Sequence, residues 1–369
     1  MIRSSRPLPS LLLAAGMAVL PVIAPPPASA EEAAAAPQAN DIAEAYAALL
    51  ARDYVYPETG ARYAAAIRAA IAAGRYRALT GEALGQAIDA DVNAVAPDGH
   101  LRLRPPEGAA PPAAAPGAAV PAPRPKKIPV EQAGWIAPGI AFVRFNVFPM
   151  EAEVTAAAAK FMADHADARA IIFDIRTHNG GGLDQMDVIF PWLFAEPTRL
   201  VTMATRASVD ARGGSPIDGL PSMRVVKGDT GMVTREHWAT PNSDTRLRDA
   251  KVYVLTSGAS ASAAEHFSLA MKHRGRGVLV GDPTAGANHF GSGENLGGGY
   301  SAFIPVGRTY DPATGKDWEG VGVLPDIAVP PAQALERVLT ELGVEAAEAK
   351  RLSDERMPSW PMERRKPRK

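Results

Sequence analysis

The apolar positions follow one spacing before about residue 128 and another after it. In the first stretch they recur every three or four residues. Ile42, Ala45, Tyr46, Leu49 and Leu50 form one stripe, with Asn40 as its cap. Tyr63, Ile67, Ala70 and Ile71 form a second, which stops at Gly74, and Leu84, Ile88, Val92 and Val95 form a third from about Thr80. This spacing predicts three amphipathic helices in a small bundle that leans on a larger neighbour. After residue 128, short β-rich runs alternate with helical segments. Strands are expected at Gly139–Asn146, Ala170–Arg176, Val252–Leu255 and Gly277–Gly281. Helices are expected at Glu151–Asp167 and about 183–194, and on the face Ala264, Phe267, Ala270 and Met271. Such alternation predicts an α/β fold built from crossover units around a mostly parallel sheet. Residues 198–249 lack clear periodicity and read as strands and loops bordering a cleft. Leu335, Val338, Leu339 and Leu342 mark a closing helix.

Composition narrows the setting. The 369 residues include no cysteine, which excludes disulfides and thiolate chemistry, and a formal charge of −1 gives no reason to expect nucleic acid as a partner. Arg3 and Arg6, an apolar run from Leu11 to Ile23 and Ala28-Ser-Ala30 read as a signal peptide over 1–30, so an exported protein without a stable membrane anchor is expected, periplasmic or extracellular. The organisation is then a leader at 31–38, a helical domain at 39–104 and a Pro/Ala-rich linker at 105–127. A core at 128–332 follows, and then a helix with a basic tail at 333–369.

Candidate chemistry sits at turns. Ser262 lies where a strand feeds a helix, a place that exposes a hydroxyl beside unpaired amides. Ser262-x-x-Glu265 is equally a capping box, and the segment alone does not separate the two. Asn179-Gly-Gly-Gly182 is a tight turn or an anion-binding loop, but it lacks the lysine and hydroxyl of a phosphate loop. His100 follows Pro97-Asp-Gly, and by itself is a turn histidine.

Together these motifs resemble the S41 serine peptidases. The resemblance rests on Asp98-Gly-His100, Asp174-x-Arg-x-His-x-Gly-Gly181, Ser260-Ala-Ser-Ala-Ala-Glu265, Val278-Leu-Val-Gly-Asp-Pro-Thr-Ala-Gly286 and Trp318-Glu-Gly-x-Gly-x-x-Pro-Asp326. It implies a β/α sandwich of the ClpP/crotonase kind that cleaves peptides or unfolded protein. Ser262 would be the nucleophile, His100 the base and Glu319 its orienter, with Asp98 a further candidate. Gly180 or Gly181 and Ala263 would supply the oxyanion hole. The chain departs from the family pattern in three places: His178 replaces an asparagine, Ala287 a catalytic lysine, and Gly99 a second serine. His178 and Lys272 are expected in loop or solvated positions. The linker is too short for a PDZ domain, which favours the tricorn-like and retinoid-binding-like branches. A non-catalytic relative binding apolar ligands or peptides, and an acyl-CoA-handling crotonase relative, stay open. No cofactor is implied, and no metal, because the histidines lack a metal-binding spacing.

Overall fold

The computed structural model describes residues 38–107, 126–226 and 231–364. The expected signal peptide, nearly all of the leader and most of the linker lie outside them, as do the last five residues of the tail. Three helices come first among the described residues, α1 (Ala39–Asp53), α2 (Pro57–Ala72) and α3 (Gly81–Val95). The first begins one residue before Asn40, so Gln38 rather than Asn40 is its cap, and the Gln38 amide donates to Asp41 at 2.9 Å.

The core alternates as expected through β1 (Leu103–Arg104), β2 (Val130–Ala137), β3 (Ile140–Phe145), α4 (Ala152–Asp164), β4 (Ala170–Asp174) and α5 (Asp184–Leu193). It continues through β5 (Thr198–Arg206), α6 (Ala207–Asp210), β6 (Met223–Val226), β7 (Met232–Ala239), β8 (Lys251–Thr256), α7 (Ala263–His273) and β9 (Val278–Gly281). Then come β10 (His289–Gly297), β11 (Tyr300–Tyr310), β12 (Ile327–Ala328), α8 (Ala334–Glu341) and α9 (Ala346–Glu355).

One sheet has the order β12-β9-β8-β4-β3-β2, parallel except for the β2 edge. Its central strands are mostly apolar because both faces are covered, with Arg144 and Asp174 toward their C-terminal ends. Successive side chains point to opposite faces. Ile171, Phe173, Val252 and Val254 therefore meet α4, α5 and α7, while Ile172, Tyr253 and Leu255 meet α8 and α9.

The expectation of a mostly parallel architecture holds for this sheet alone. The second, β1-β11-β5-β7-β6 with β10 beside β11, is antiparallel throughout. Two of its pairs, β6–β7 and β10–β11, are hairpins, and the other pairs join strands distant in the chain. The β10–β11 turn runs through Gly297, Gly298 and Gly299, all at positive φ, a conformation only glycine adopts cheaply. The N-terminal helices lean on this sheet. Tyr46, Leu50 and Ile88 share a buried cluster with Leu296, Tyr300, Ile304 and Val306.

Candidate active site

The site is assembled at the C-terminal ends of β4 and β8. Asp174 closes β4 and is fully buried between Arg176 (Nη2, 2.7 Å) and Arg144 (Nε, 2.9 Å). Burial alone would raise its pKa, but the two guanidinium groups outweigh that and hold it below the ordinary carboxylate range. This ion cluster fixes the loop that follows. Ser260 Oγ donates to the Ile175 carbonyl at 2.7 Å and Ser257 Oγ to that of Arg176, so the turn after β8 is pinned to the turn after β4.

Ser262 caps α7 at φ 56°, ψ −115°, a region that non-glycine residues rarely occupy. Its amide donates to Glu265 Oε2 at 2.8 Å, the carboxylate half of the expected capping box. Glu265 does more than cap. It is fully buried and also accepts from Thr284 Oγ1 (2.6 Å) and the amides of Gly286 (2.6 Å) and Ala287 (2.8 Å). Burial pushes its carboxyl above the usual range against the pull of these four donors.

Gly180 abuts the serine, and a Cβ there would stand 2.9 Å from Ser262 Cβ and 3.3 Å from its Oγ. A Cβ on Gly181 would strike the Phe148 carbonyl oxygen at 2.0 Å. The Gly180 amide donates to His178 Nδ1 at 3.1 Å. Among the described residues the amides of Gly181 and Ala263 have no hydrogen-bond partner in the protein. His178 lies in a loop, as expected, but not at the surface. It is fully buried, edge-on to Phe148 at 4.3 Å, and its carbonyl accepts from the Ala261 amide. Burial, with a smaller push from Lys127, lowers its pKa to about 3, so it stays neutral. Its ring replaces solvent under the glycine loop, which the sequence, showing only a polar residue in a polar turn, did not reveal. Lys272, expected to be solvated, pairs with Asp326 at 2.7 Å.

A second group lies across the 284–289 segment. His100 Nδ1 is 3.5 Å from Asp98 Oδ1, and its ring stacks on Phe303. Asp98 Oδ2 also bonds His289 Nδ1 at 2.8 Å and accepts from Tyr54 Oη at 2.8 Å. Glu319 Oε2 accepts from the Asn288 amide at 2.7 Å and sits 3.9 Å from His289 Nδ1. Burial would raise Asp98, but His100 and His289 more than offset it and hold the carboxyl well below its ordinary range. Burial would lower His289, yet Asp98 and Glu319 raise it. The structure thus joins His100, Asp98 and Glu319, and adds His289, which the sequence reading missed. Its only signal was a histidine three residues past Gly286.

Ser262 reaches this group through backbone. Glu265 holds the amides of Ser262 and Ala287, and the next amide, Asn288, holds Glu319. No hydrogen bond joins Ser262 Oγ to an imidazole among the described residues. Both ring nitrogens of His100, and Nε2 of His289, are buried without a hydrogen-bond partner.

Residues 139–329 match the model of peptidase family S41. The chain belongs to peptidase family S41. It is similar to the chloroplastic carboxyl-terminal-processing peptidase 3 of Arabidopsis thaliana, 27% identical over 189 residues, which are 50% of this chain and 31% of that protein. The chain therefore spans about a third of the length of this curated relative. Among solved structures, a Parabacteroides merdae protein described as a peptidase matches with a TM-score of 0.51 and 18% identity, over 80% of this chain and 90% of that one. A photosystem II D1 C-terminal processing protease matches at 23% identity with a TM-score of 0.43, over 61% of this S41 chain and 55% of its own. The α/β architecture with N-terminal helices accords with the S41 fold expected.

Proposed function

We propose that the protein is an exported serine peptidase that cleaves peptides or unfolded protein segments, with Ser262 as nucleophile. Membership of family S41 supports the reaction class. The observation that carries the assignment of the nucleophile is the strained backbone of Ser262, held at φ 56° at the start of α7 and pressed against Gly180. Strain of this kind persists where the surroundings over-determine it, and it projects a side chain out of a tight turn.

His100, with Nε2 free of any hydrogen bond and Nδ1 facing Asp98, takes the Ser262 proton and returns it to the leaving amine. The Ser–His bond forms in the substrate complex, since such bonds are often open in free enzymes. Asp98 and Glu319 stabilise the imidazolium as it forms. The amides of Ala263 and Gly181 donate to the oxyanion, and Gly180 shapes the floor beneath it. Losing one such donor typically costs ~3 kcal/mol of barrier. The helical domain at 39–104 joins the core at 128–332 through Asp98, which bonds His289.

The test is hydrolysis of a quenched-fluorescent peptide library and of an unfolded protein. Ser262→Ala is expected to lower kcat by at least about a thousandfold with the melting temperature retained. Equal cleavage by the variant would remove Ser262 as nucleophile, and no cleavage by the parent chain would leave a binding module.

A further inference from the structure

Asp98, His100, His289 and Glu319 each offer one donor atom, and these atoms lie within 4.8 Å of one another. They come from three separate places in the chain, Asp98 and His100 sharing one turn, so no single motif announces the set. We infer that they form a binding site for a divalent transition-metal ion, Zn²⁺ foremost, and that the ion reversibly blocks the peptidase by occupying His100.

Two imidazoles and two carboxylates are a donor set that Zn²⁺ accepts, whereas Mg²⁺ and Ca²⁺ favour oxygen alone. Two carboxylates and neutral imidazoles balance the charge of a divalent ion. Bonds of ~2.0–2.1 Å in a tetrahedron set neighbouring donors about 3.4 Å apart. The His100–Asp98 distance of 3.5 Å and the His289–Glu319 distance of 3.9 Å are close to that value already. His289 is held at 2.8 Å from Asp98 by a hydrogen bond, whose proton the ion would replace.

A second observation points to a ligand. The His289 side chain is 97% buried, its Nε2 and that of His100 have no hydrogen-bond partner in the protein, and His100 Nδ1 has only the 3.5 Å approach to Asp98. Buried polar atoms left unpaired are uncommon and call for an occupant. The surroundings also suit a metal site, because the carboxylates are oriented from behind. Tyr54 Oη and the His100 amide donate to Asp98, and the Asn288 amide donates to Glu319.

The site itself stands apart from the proposed reaction, whereas the blocking effect rests on that reading. Zn²⁺ binding to the purified chain is measured by competition with a chromophoric chelator, and Co²⁺ is titrated for its visible bands. One equivalent should bind, with Ser262→Ala unchanged in affinity. His289→Ala and Glu319→Gln should each weaken it at least tenfold, with folding confirmed by circular dichroism. As a check that does not depend on variants, Zn²⁺ should raise the melting temperature of the parent chain and EDTA should reverse the rise. No saturable binding, or binding indifferent to both substitutions, overturns the site. Hydrolysis should fall in proportion to Zn²⁺ occupancy and return with EDTA. Full occupancy with unaltered hydrolysis overturns the block but not the site, and a chain that binds Zn²⁺ yet cleaves nothing even after EDTA has removed the ion overturns the peptidase reading and the block together.

Discussion

At the scale of single residues, the glycine loop and the histidine beneath it set the tolerances of the site. Gly180 combines φ +108° with the close approach to Ser262, so a methyl group there is doubly opposed. Gly180→Ala is expected to lower stability by about 1–3 kcal/mol and to reduce kcat more than it raises KM, checked by urea denaturation and steady-state kinetics. His178 gives a pH signature. Its folded pKa of about 3 lies below the unfolded value near 6.5. The unfolded chain therefore binds a proton that the folded chain refuses. Stability from this group is intact above about pH 6.5 and is lost as pH falls toward 3, approaching about 1.4 kcal/mol per pH unit. His266, buried beside His237 and likewise lowered, first by burial, adds a second loss of the same sign. Unfolding free energies at several pH values should show His178→Asn flattening the acid limb by one proton; an unchanged slope would refute the buried neutral form.

At the scale of elements, α7 depends on a contact its own sequence only half describes. The Ser262–Glu265 spacing exposed the capping box, because a cap is local. The remaining donors to Glu265 come from residues 284–287, which no periodicity links to it. Glu265→Ala strands four buried donors and is expected to cost at least about 3 kcal/mol, read as a fall in the urea midpoint with the m-value unchanged. The same contrast runs through the fold. Strands β4 and β8 and the face of α7 were legible, since continuous burial leaves continuous apolar runs. The β10–β11 hairpin was not, because β10 reads His-Phe-Gly-Ser-Gly-Glu-Asn-Leu-Gly and buries little. Helix α9 was also missed. It is built mainly of Ala, Glu, Lys and Arg, held by exposed pairs such as Lys350–Asp354, and shows the core only Ala349 and Leu352. In the site, Ser262, His100 and Glu319 emerged from motifs. His289 and the burial of His178 follow from how separate turns stack, which spacing does not encode.

At the scale of the whole molecule, the C-terminal segment returns to the site. The Arg364 guanidinium donates to the carbonyls of Gly320 (2.9 Å), Val321 (3.0 Å) and Thr284 (3.1 Å), and the Met362 carbonyl accepts from Ala259. The basic tail expected from the sequence thus begins with an ordered residue that clasps the Glu319 loop to the 284–286 turn. Arg364→Ala is expected to leave the secondary structure intact and lower the melting temperature by a few degrees, seen by calorimetry. It should also lower kcat severalfold, seen in peptide hydrolysis.

Because one buried carboxylate grips both the serine's backbone and the strand-leading turn opposite, these two parts cannot shift separately. If the proposed peptidase adjusts to substrates of different girth, that movement is expected in the glycine-turned hairpin and the helices resting on it rather than between the two parts that Glu265 ties together.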